Sequence, residues 1–153
     1  MTETAGTPDH VAPQVTDMLC FSIYSAGHAF TQLYRPLLGK IGLTYPQYLV
    51  MLTLWRRDGQ NVKELGNTLF LDSSTLTPLL KRLDAAGLIT RKRNPKDERE
   101  VLLTLTEEGR ALQSEAADVM KCVEDALALN GETIDAIRAS VDDIRDRLQG
   151  NRE

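Results

Sequence analysis

Apolar residues recur at helical spacing near both ends of the chain. Between residues 17 and 38, and again between residues 134 and 148, they fall three and four positions apart. This spacing places apolar side chains on one helical face, which predicts an amphipathic helix in each stretch. The second stretch has coiled-coil spacing and is too short to be stable alone, so it needs either the chain's own first helix or a second subunit. Its members are Ile134, Ile137, Val141, Ile144 and Leu148.

Two capping sequences begin helices in the middle of the chain. Thr44 with Gln47, and Asn61 with Glu64, have the spacing of a capping box. The helix after Thr44 contains an almost wholly apolar run, residues 48–55, and is predicted to form the core. The helix after Asn61 is predicted to be short and to end near residue 69.

A third central helix is predicted between Asp72 and Gly87, with Gly87 in the C′ position. Pro78 falls inside this helix, where proline removes a hydrogen bond and crowds the preceding turn. Two outcomes are compatible with it: a kinked helix, or a first regular turn that begins near Thr75.

A β-hairpin and a second long helix are predicted next. Residues 88–93 and 101–105 alternate at period two, as strands do, and residues 94–99 form a polar turn too long for a two-residue hairpin. From Glu107 a helix is predicted to about Leu129, where Asn130-Gly131 ends it. Helix, turn, helix and basic hairpin is the order of a winged helix-turn-helix. A mainly α fold with a two-stranded β wing is therefore predicted.

Charge is unevenly distributed along the 153 residues, whose net charge is −4. Residues 81–99 hold seven bases and three acids, a local +4. Such a patch on an acidic chain indicates nucleic-acid binding, the alternative being a solvated basic loop. Small hydroxyls suit phosphates and base edges, bases suit phosphates, and Asp97 can orient Arg99 by an ion pair. The DNA-binding candidates are Ser73, Ser74, Thr75, Thr77, Pro78, Lys81, Arg82, Arg91, Lys92, Arg93, Lys96, Asp97 and Arg99.

The two cysteines, Cys20 and Cys122, fit neither a disulfide framework nor a zinc site, and no metal or cofactor is predicted. From the residues alone, each is best interpreted as a packed small hydrophobe. A reactive thiolate needs stabilisation, which tyrosine hydroxyls can supply by hydrogen bonding. Tyr24 follows Cys20 by one turn on the same helical face. Tyr34 lies about four turns away, so it can meet Cys20 only from a second subunit.

Composition indicates a folded protein, with 42% hydrophobic and 26% charged residues. No stretch approaches the roughly 18 apolar residues of a membrane helix, and residues 1–16 lack the features of a signal peptide. A cytoplasmic location is expected.

The predicted wing resembles that of MarR-family transcriptional regulators, including an Asp-x-Arg at its tip, Asp97-Glu98-Arg99. The similarity covers about residues 17–149. Four segments look like the organic hydroperoxide sensors of that family, the OhrR-type repressors: residues 19–21, 34–37, 43–48 and 76–80. The resemblance implies a homodimer with interleaved first, fifth and sixth helices that binds double-stranded operator DNA. The expected segments are an N-terminal dimerisation helix (17–43), a winged helix-turn-helix domain (44–106) and C-terminal dimerisation helices (107–149). Residues 1–16, with Pro8, Pro13 and several small polar residues, are predicted to be a disordered lead.

The same resemblance implies the redox roles. Cys20 is the expected site of oxidation by organic hydroperoxide, with Tyr34 and Tyr45 of the second subunit supporting its thiolate and Tyr24 nearby. Some sensors carry a resolving cysteine in the region of Cys122, which implies an intersubunit disulfide with Cys20; in others a small thiol caps the reactive cysteine. The expected function is a repressor that releases DNA when Cys20 is oxidised.

Three alternatives stay open. A MarR-type repressor released by a small aromatic ligand would not depend on Cys20. A thiol peroxidase would use Pro13 and Thr16 before Cys20, but the threonine is four residues ahead instead of three and no thioredoxin-like strands are predicted, so an enzyme is not expected. A helical dimerisation protein without DNA affinity leaves the basic patch without a role.

Overall fold

The computed structural model describes residues 11–150. Of the predicted lead, residues 1–10 lie outside this range, and Val15–Asp17 form a short 3₁₀ turn. Six helices and three strands follow, in an order that confirms the predicted winged helix-turn-helix. They are α1 (Leu19–Gly39), α2 (Tyr45–Arg56), β1 (Gln60–Asn61), α3 (Val62–Leu69), α4 (Ser73–Ala85), β2 (Ile89–Asn94), β3 (Asp97–Leu105), α5 (Glu107–Leu127) and α6 (Gly131–Gly150).

Both predicted capping boxes form. The Thr44 side chain accepts from the Gln47 N–H, and the Gln47 side chain accepts from the Thr44 N–H at 2.9 Å. The Asn61 side chain accepts from the Glu64 N–H at 2.8 Å, and the Glu64 carboxylate accepts from the Asn61 N–H at 2.9 Å. These bonds satisfy amides that have no partner inside the helix, so they fix where α2 and α3 begin.

Helix α4 begins at Ser73 and continues through Pro78. The prediction of a first regular turn near Thr75 is therefore wrong. The Asp72 side chain caps the helix by accepting from the Thr75 N–H at 2.8 Å, which holds the first turn in place. Ser74 and Pro78 are both exposed, so water can satisfy the Ser74 carbonyl that lacks its amide donor.

The wing differs from its prediction in two ways. Asn94 pairs with Asp97, so the turn is only Pro95-Lys96 and the predicted long turn over residues 94–99 is wrong. Asp97 and its neighbours on β3 are exposed, and a segment with no buried face shows no alternation of apolar residues. The sheet also has a third strand, β1, which pairs with β3 through Gln60 and Leu103 and gives the order β1-β3-β2.

Helix α2 lies in the core, as its apolar run predicts. Val50, Met51 and Leu54 are fully buried. They belong to a cluster that includes leucines of α1, α3, α4 and the sheet: Leu38, Leu65, Leu76, Leu80, Leu83 and Leu103. Helix α4, which carries several of the predicted DNA-binding residues, is therefore supported by the same core that anchors the end of α1.

The start of α5 joins the winged domain to the long C-terminal helices. Trp55 Nε1–H donates to the Gly109 carbonyl at 2.8 Å, and the Asp58 carboxylate accepts from Arg110 at 2.6 Å. Helix α5 ends at Leu127, where Ala128 adopts a left-handed conformation (φ 52°). The predicted end near Leu129 is thus two residues late. Asn130 instead caps α6, its side chain accepting from the Thr133 N–H at 2.8 Å.

The apolar seam of α6, the predicted stretch from Ile134 to Leu148, is left largely uncovered by its own chain. None of the residues in Gly131–Gly150 is buried, and Ile137 and Leu148 are 51% and 65% exposed. Within residues 11–150, no helix combines the length and apolar character that crossing a membrane requires.

Candidate DNA interface and thiol site

The first turn of α4 presents hydroxyl side chains to solvent. Ser73, Ser74 and Thr75 are exposed, as the DNA-contact prediction requires. Ser74 Oγ donates to Asp72 Oδ1 at 2.7 Å, so the capping carboxylate also orients this hydroxyl. Hydrogen bonds from the Ser74 hydroxyl and from Thr75 lower the pKa of Asp72, which therefore stays ionised at neutral pH.

The second turn of α4 offers fewer free donors than expected. Thr77 Oγ1 donates to the Ser73 carbonyl at 2.7 Å, so its proton is used inside the helix. Pro78 is exposed and has no backbone N–H, so it can offer DNA only apolar contact. Lys81 and Arg82 are exposed further along.

Most of the basic wing residues face solvent. Lys92, Arg93 and Lys96 are exposed. Arg91 is different: it is half-buried, and its Nε is buried without a hydrogen-bond partner among residues 11–150. Arg91 pairs across the strands with Leu103, so its side chain lies on the same, packed side of the sheet. It is therefore less available to phosphates than the other bases.

The wing tip holds the Asp-x-Arg pair in a loose arrangement. Asp97 Oδ1 accepts from the Arg99 backbone N–H at 3.1 Å, while the Arg99 guanidinium Nε is 3.8 Å away. The Arg99 side chain is 95% exposed. Asp97 therefore shapes the backbone of the tip and leaves the arginine free to reach a ligand.

Glu100 connects the wing to the helix-turn-helix. Its carboxylate accepts from Asn94 at 3.0 Å on one side and from Asn61, the cap of α3, at 3.3 Å on the other. A groove of about 540 Å³ lies beside this connection, between α3, the start of α4 and β3. Lys63 and Asn67 line it together with Ser73 and Arg99.

Lys63 and Asn67 are candidates that sequence reasoning missed. Both are exposed polar residues of α3, and they lie four positions apart, which places them on one helical face. That spacing, just before the helix that carries the predicted DNA-binding residues Ser73 to Arg82, is the feature of the sequence that could have indicated them. The groove thus extends the candidate DNA surface from α4 and the wing onto α3.

Tyrosines of α1 and α2 form a cluster. The rings of Tyr34 and Tyr45 are 4.7 Å apart, and those of Tyr34 and Tyr48 are 5.9 Å apart. Burial, with a smaller contribution from its neighbours Tyr45 and Tyr48, raises the pKa of Tyr34 to about 12. Burial also raises the pKa of Tyr45. Both hydroxyls therefore keep their protons at neutral pH and can donate a hydrogen bond to an anion.

The Cys20 thiol is separate from this cluster within one chain. Cys20 and Cys122 are both free and exposed, so neither is a packed hydrophobe of its own subunit. Helix α1 holds both Cys20 and Tyr34, which are 14 positions apart in the sequence. This separation corresponds to about 21 Å of helix. Tyr24, one turn after Cys20, is 72% exposed. One chain thus brings Tyr34 and Tyr45 together but leaves Cys20 at the opposite end of α1.

Comparisons with known proteins identify the family. The model of the transcriptional regulator SarA/Rot family matches residues 32–116. The chain is 49% identical over 141 residues to the transcriptional regulator TtmR of Methylorubrum extorquens (89% of this chain, 70% of the relative). It is 42% identical over 133 residues to the organic hydroperoxide resistance transcriptional regulator of Bacillus subtilis (87% and 89%). The chain belongs to the SarA/Rot/MarR class of winged-helix transcriptional regulators.

A solved member of this class has the same fold. Reduced AbfR bound to DNA is similar with a TM-score of 0.76 at 35% identity, covering 91% of this chain and 95% of AbfR. A disulfide form of AbfR matches with a TM-score of 0.63 at 34% identity, covering 85% and 91%. The SarA/Rot/MarR relatives are regulators and not enzymes, which removes the basis for the thiol peroxidase alternative.

Proposed function

We propose that this regulator is a homodimeric repressor that binds operator DNA when reduced and releases it when organic hydroperoxide oxidises Cys20. The observation that carries the proposal is the separation along α1 of an exposed thiol from a pair of protonated tyrosine hydroxyls. A second subunit in antiparallel arrangement would bring the Tyr34 and Tyr45 hydroxyls to the thiol. There they would favour the thiolate, the reactive form of cysteine.

The uncovered seam of α6 supports the dimer. Ile137, Val141 and Leu148 are exposed along one helical face, and an apolar stripe of this kind gains stability when a partner helix covers it. The proposed segments are the dimerisation helices 17–43 and 107–149 and the DNA-binding domain 44–106. An operator-bound repressor would work in the cytoplasm, where bacteria keep their DNA.

The proposed DNA contacts follow the exposed polar surface. The first turn of α4, Ser73 to Thr75, would enter the major groove, with Pro78, Lys81 and Arg82 beside it. The exposed wing residues Lys92, Arg93, Lys96 and Arg99 would contact the flanking backbone or minor groove. Arg91, Thr77 and Asp97 have supporting roles, because Arg91 is half-buried and the other two bond within the protein. Binding of this kind weakens steeply with salt.

The proposed redox step has two stages. The Cys20 thiolate attacks the terminal oxygen of the hydroperoxide, the O–O bond breaks, and the alkoxide leaves and takes up a proton to become the alcohol. Cys20 is then a sulfenic acid. The Cys122 thiol of the second subunit attacks the sulfenic sulfur, an S–S bond of about 2 Å forms, and water leaves.

Disulfide formation would require the helices that carry the two thiols to move. Cys20 is on α1 and Cys122 is on α5, and α5 begins where the winged domain ends. Movement of α5 would change the spacing of the two copies of α4, the proposed reading helices, which must match successive major grooves of the operator. The structures of AbfR support this proposal, since that relative has been solved both in its reduced form on DNA and in a disulfide form.

The experiment uses a duplex that the reduced wild-type protein selects from a random pool. Cumene hydroperoxide should abolish binding of this duplex and produce a covalent dimer on nonreducing electrophoresis. Cys122→Ser should lose the covalent dimer, and Cys20→Ser should keep DNA binding in hydroperoxide. Release without a covalent dimer would replace the disulfide by capping with a small thiol. Hydroperoxide-sensitive release from Cys20→Ser would refute the sensor role and favour a ligand-released repressor.

A further inference from the structure

Helix α6 touches the helix-turn-helix through an aromatic contact. The Arg145 guanidinium carbon lies 4.0 Å from the centre of the Phe70 ring. Arg145 is held in this position by two carboxylates of its own helix, Asp142 at 2.7 Å and Asp146 at 2.9 Å. A cation above an aromatic face is attracted to the ring, and the carboxylates reduce the freedom of the arginine to leave it.

Phe70 occupies a sensitive position in the chain. It ends α3 in the left-handed conformation (φ 55°), which is unfavourable for residues other than glycine. Its side chain is 52% exposed, so burial in the core does not hold it there. Asp72, which caps the reading helix α4, is only two residues further on. A contact that holds the Phe70 ring therefore helps to set the direction in which α4 begins.

The same end of α6 borders a groove that it shares with α1. Ile23 of α1 lines a groove of about 310 Å³ with Val141, Ile144, Arg145 and Leu148 of α6. Ile23 follows Cys20 by three residues, so it lies one turn away on a neighbouring part of the helix. The end of α6 thus contacts the turn before α4 through Arg145 and Phe70, and it shares a groove with Ile23 of α1.

We propose that Arg145 is a positioning residue for operator recognition, which acts by holding Phe70 and with it the start of α4. The Arg145–Phe70 contact then couples the position of α6 to the orientation of the reading helix. This inference rests on the proposed function, because it assumes that α4 binds the operator. It adds a contact between α6 and the turn before the reading helix that is separate from the covalent connection through α5.

The test is a double-mutant cycle read out by DNA affinity under reducing conditions. Arg145→Gln removes the cation, and Phe70→Leu removes the ring while keeping an apolar side chain. Each should weaken binding of the selected duplex by about 2- to 5-fold, the effect of losing a surface cation–π contact. The double variant should be no weaker than either single variant, and Phe70→Tyr, which keeps the ring, should bind like wild type.

Two measurements distinguish positioning of α4 from a general loss of charge and from a direct DNA contact. Arg138→Gln is the matched control for charge, because Arg138 forms the same kind of ion pair on α6, with Asp135 at 2.8 Å, and should leave affinity unchanged. The salt dependence of binding should be unchanged in Arg145→Gln, whereas loss of a direct phosphate contact would lower its slope by about 1.

The inference is overturned if the two single effects multiply in the double variant, if Arg145→Gln binds like Arg138→Gln, or if the salt slope falls. A coupling that appears in thermal unfolding but not in DNA affinity also overturns it, because the contact would then be structural only. If the wild-type protein selects no duplex, the proposed function fails, and the positioning role fails with it. If wild type binds DNA and releases it in hydroperoxide while the variants behave like wild type, only the positioning role fails.

Discussion

Asp58 forms the main polar connection between the winged domain and α5, and its replacement by asparagine tests how firmly they are joined. Its carboxylate accepts from the Leu105 N–H at 2.9 Å, from the Gly59 N–H at 2.8 Å and from Arg110 at 2.6 Å. These partners belong to the end of β3, the turn after α2 and the start of α5. Asparagine keeps one acceptor oxygen but removes the charge.

The expected loss at pH 7 is about 1–2 kcal/mol of unfolding free energy. A hydrogen bond to a charged group contributes about 1.5–3 kcal/mol, of which asparagine keeps a part. The ion pair between Asp58 and Arg110 adds to this stability only at the low end of the usual range of about 0.2–1 kcal/mol for exposed pairs, because the Asp58 side chain is 28% exposed and the Arg110 side chain 58% exposed.

The effect should depend on pH. Partial burial opposes ionisation of Asp58, but the hydrogen bonds from Leu105, Arg110 and Gly59 outweigh it and lower its pKa below the ordinary 3.8. The stabilisation is therefore fully present above pH 3.8 and is lost as the pH falls through the lowered pKa. The difference between wild type and Asp58→Asn should shrink over that range.

Urea unfolding between about pH 7 and pH 3 measures this difference, at one protein concentration because dimerisation contributes to stability. Asp135→Asn is the matched control, since Asp135 pairs with Arg138 at 2.8 Å but is 67% exposed. It should change stability by less than about 0.5 kcal/mol. A loss that is equal for the two variants, or that stays constant down to the acid end of the range, would refute the role assigned to Asp58.

Two further predictions concern the α5 junction and the wing. In Gly109→Ala the new Cβ would clash with the Leu88 carbonyl oxygen, which belongs to the backbone and cannot turn aside, so thermal unfolding should show a loss of about 3 kcal/mol or more. Gly131→Ala is the control, because a Cβ there has nothing within 4 Å, and it should not be destabilised. Equal melting temperatures for the two variants would contradict the packing argument. Arg99→Ala should weaken binding of the selected duplex by about 1–3 kcal/mol and lower its salt slope, while Lys121→Ala, on the exposed side of α5, should do neither. Unchanged affinity at matched salt would remove Arg99 from the interface.

The elements that sequence reasoning predicted well are those whose signals are local. The capping boxes at Thr44 and Asn61 bring together residues only three positions apart, and the apolar run of α2 requires burial wherever the helix packs. The wing tip was mispredicted because neither of its faces is buried, so periodicity carries no information there. Strand β1 was missed because two residues are too few for any period, and its pairing partner Leu103 is distant in the sequence.

The residues of the candidate site also differ in how far the sequence alone could predict them. The exposed hydroxyls and bases of α4 and the wing were found from residue type and charge, which do not depend on three-dimensional contacts. The internal bond of Thr77 and the half-burial of Arg91 depend on backbone geometry and packing that residue types do not encode. The contact between Phe70 and Arg145 joins two surface residues far apart in sequence, and neither belongs to a recognisable motif.

Helix α6 carries both the uncovered seam and the arginine that contacts Phe70, and this has a thermodynamic consequence for the proposed repressor. Ile137 and Val141 are exposed on the helix that carries Arg145, so a partner subunit that covered them would also restrict the position of Arg145. The pairing of the subunits and the orientation of α4 would then both depend on the position of α6. Binding free energies are linked reciprocally, so the factor by which dimerisation strengthens operator binding equals the factor by which the operator strengthens dimerisation. In the proposed repressor, an oxidation that shifted α6 would therefore weaken operator binding without altering a residue that touches DNA.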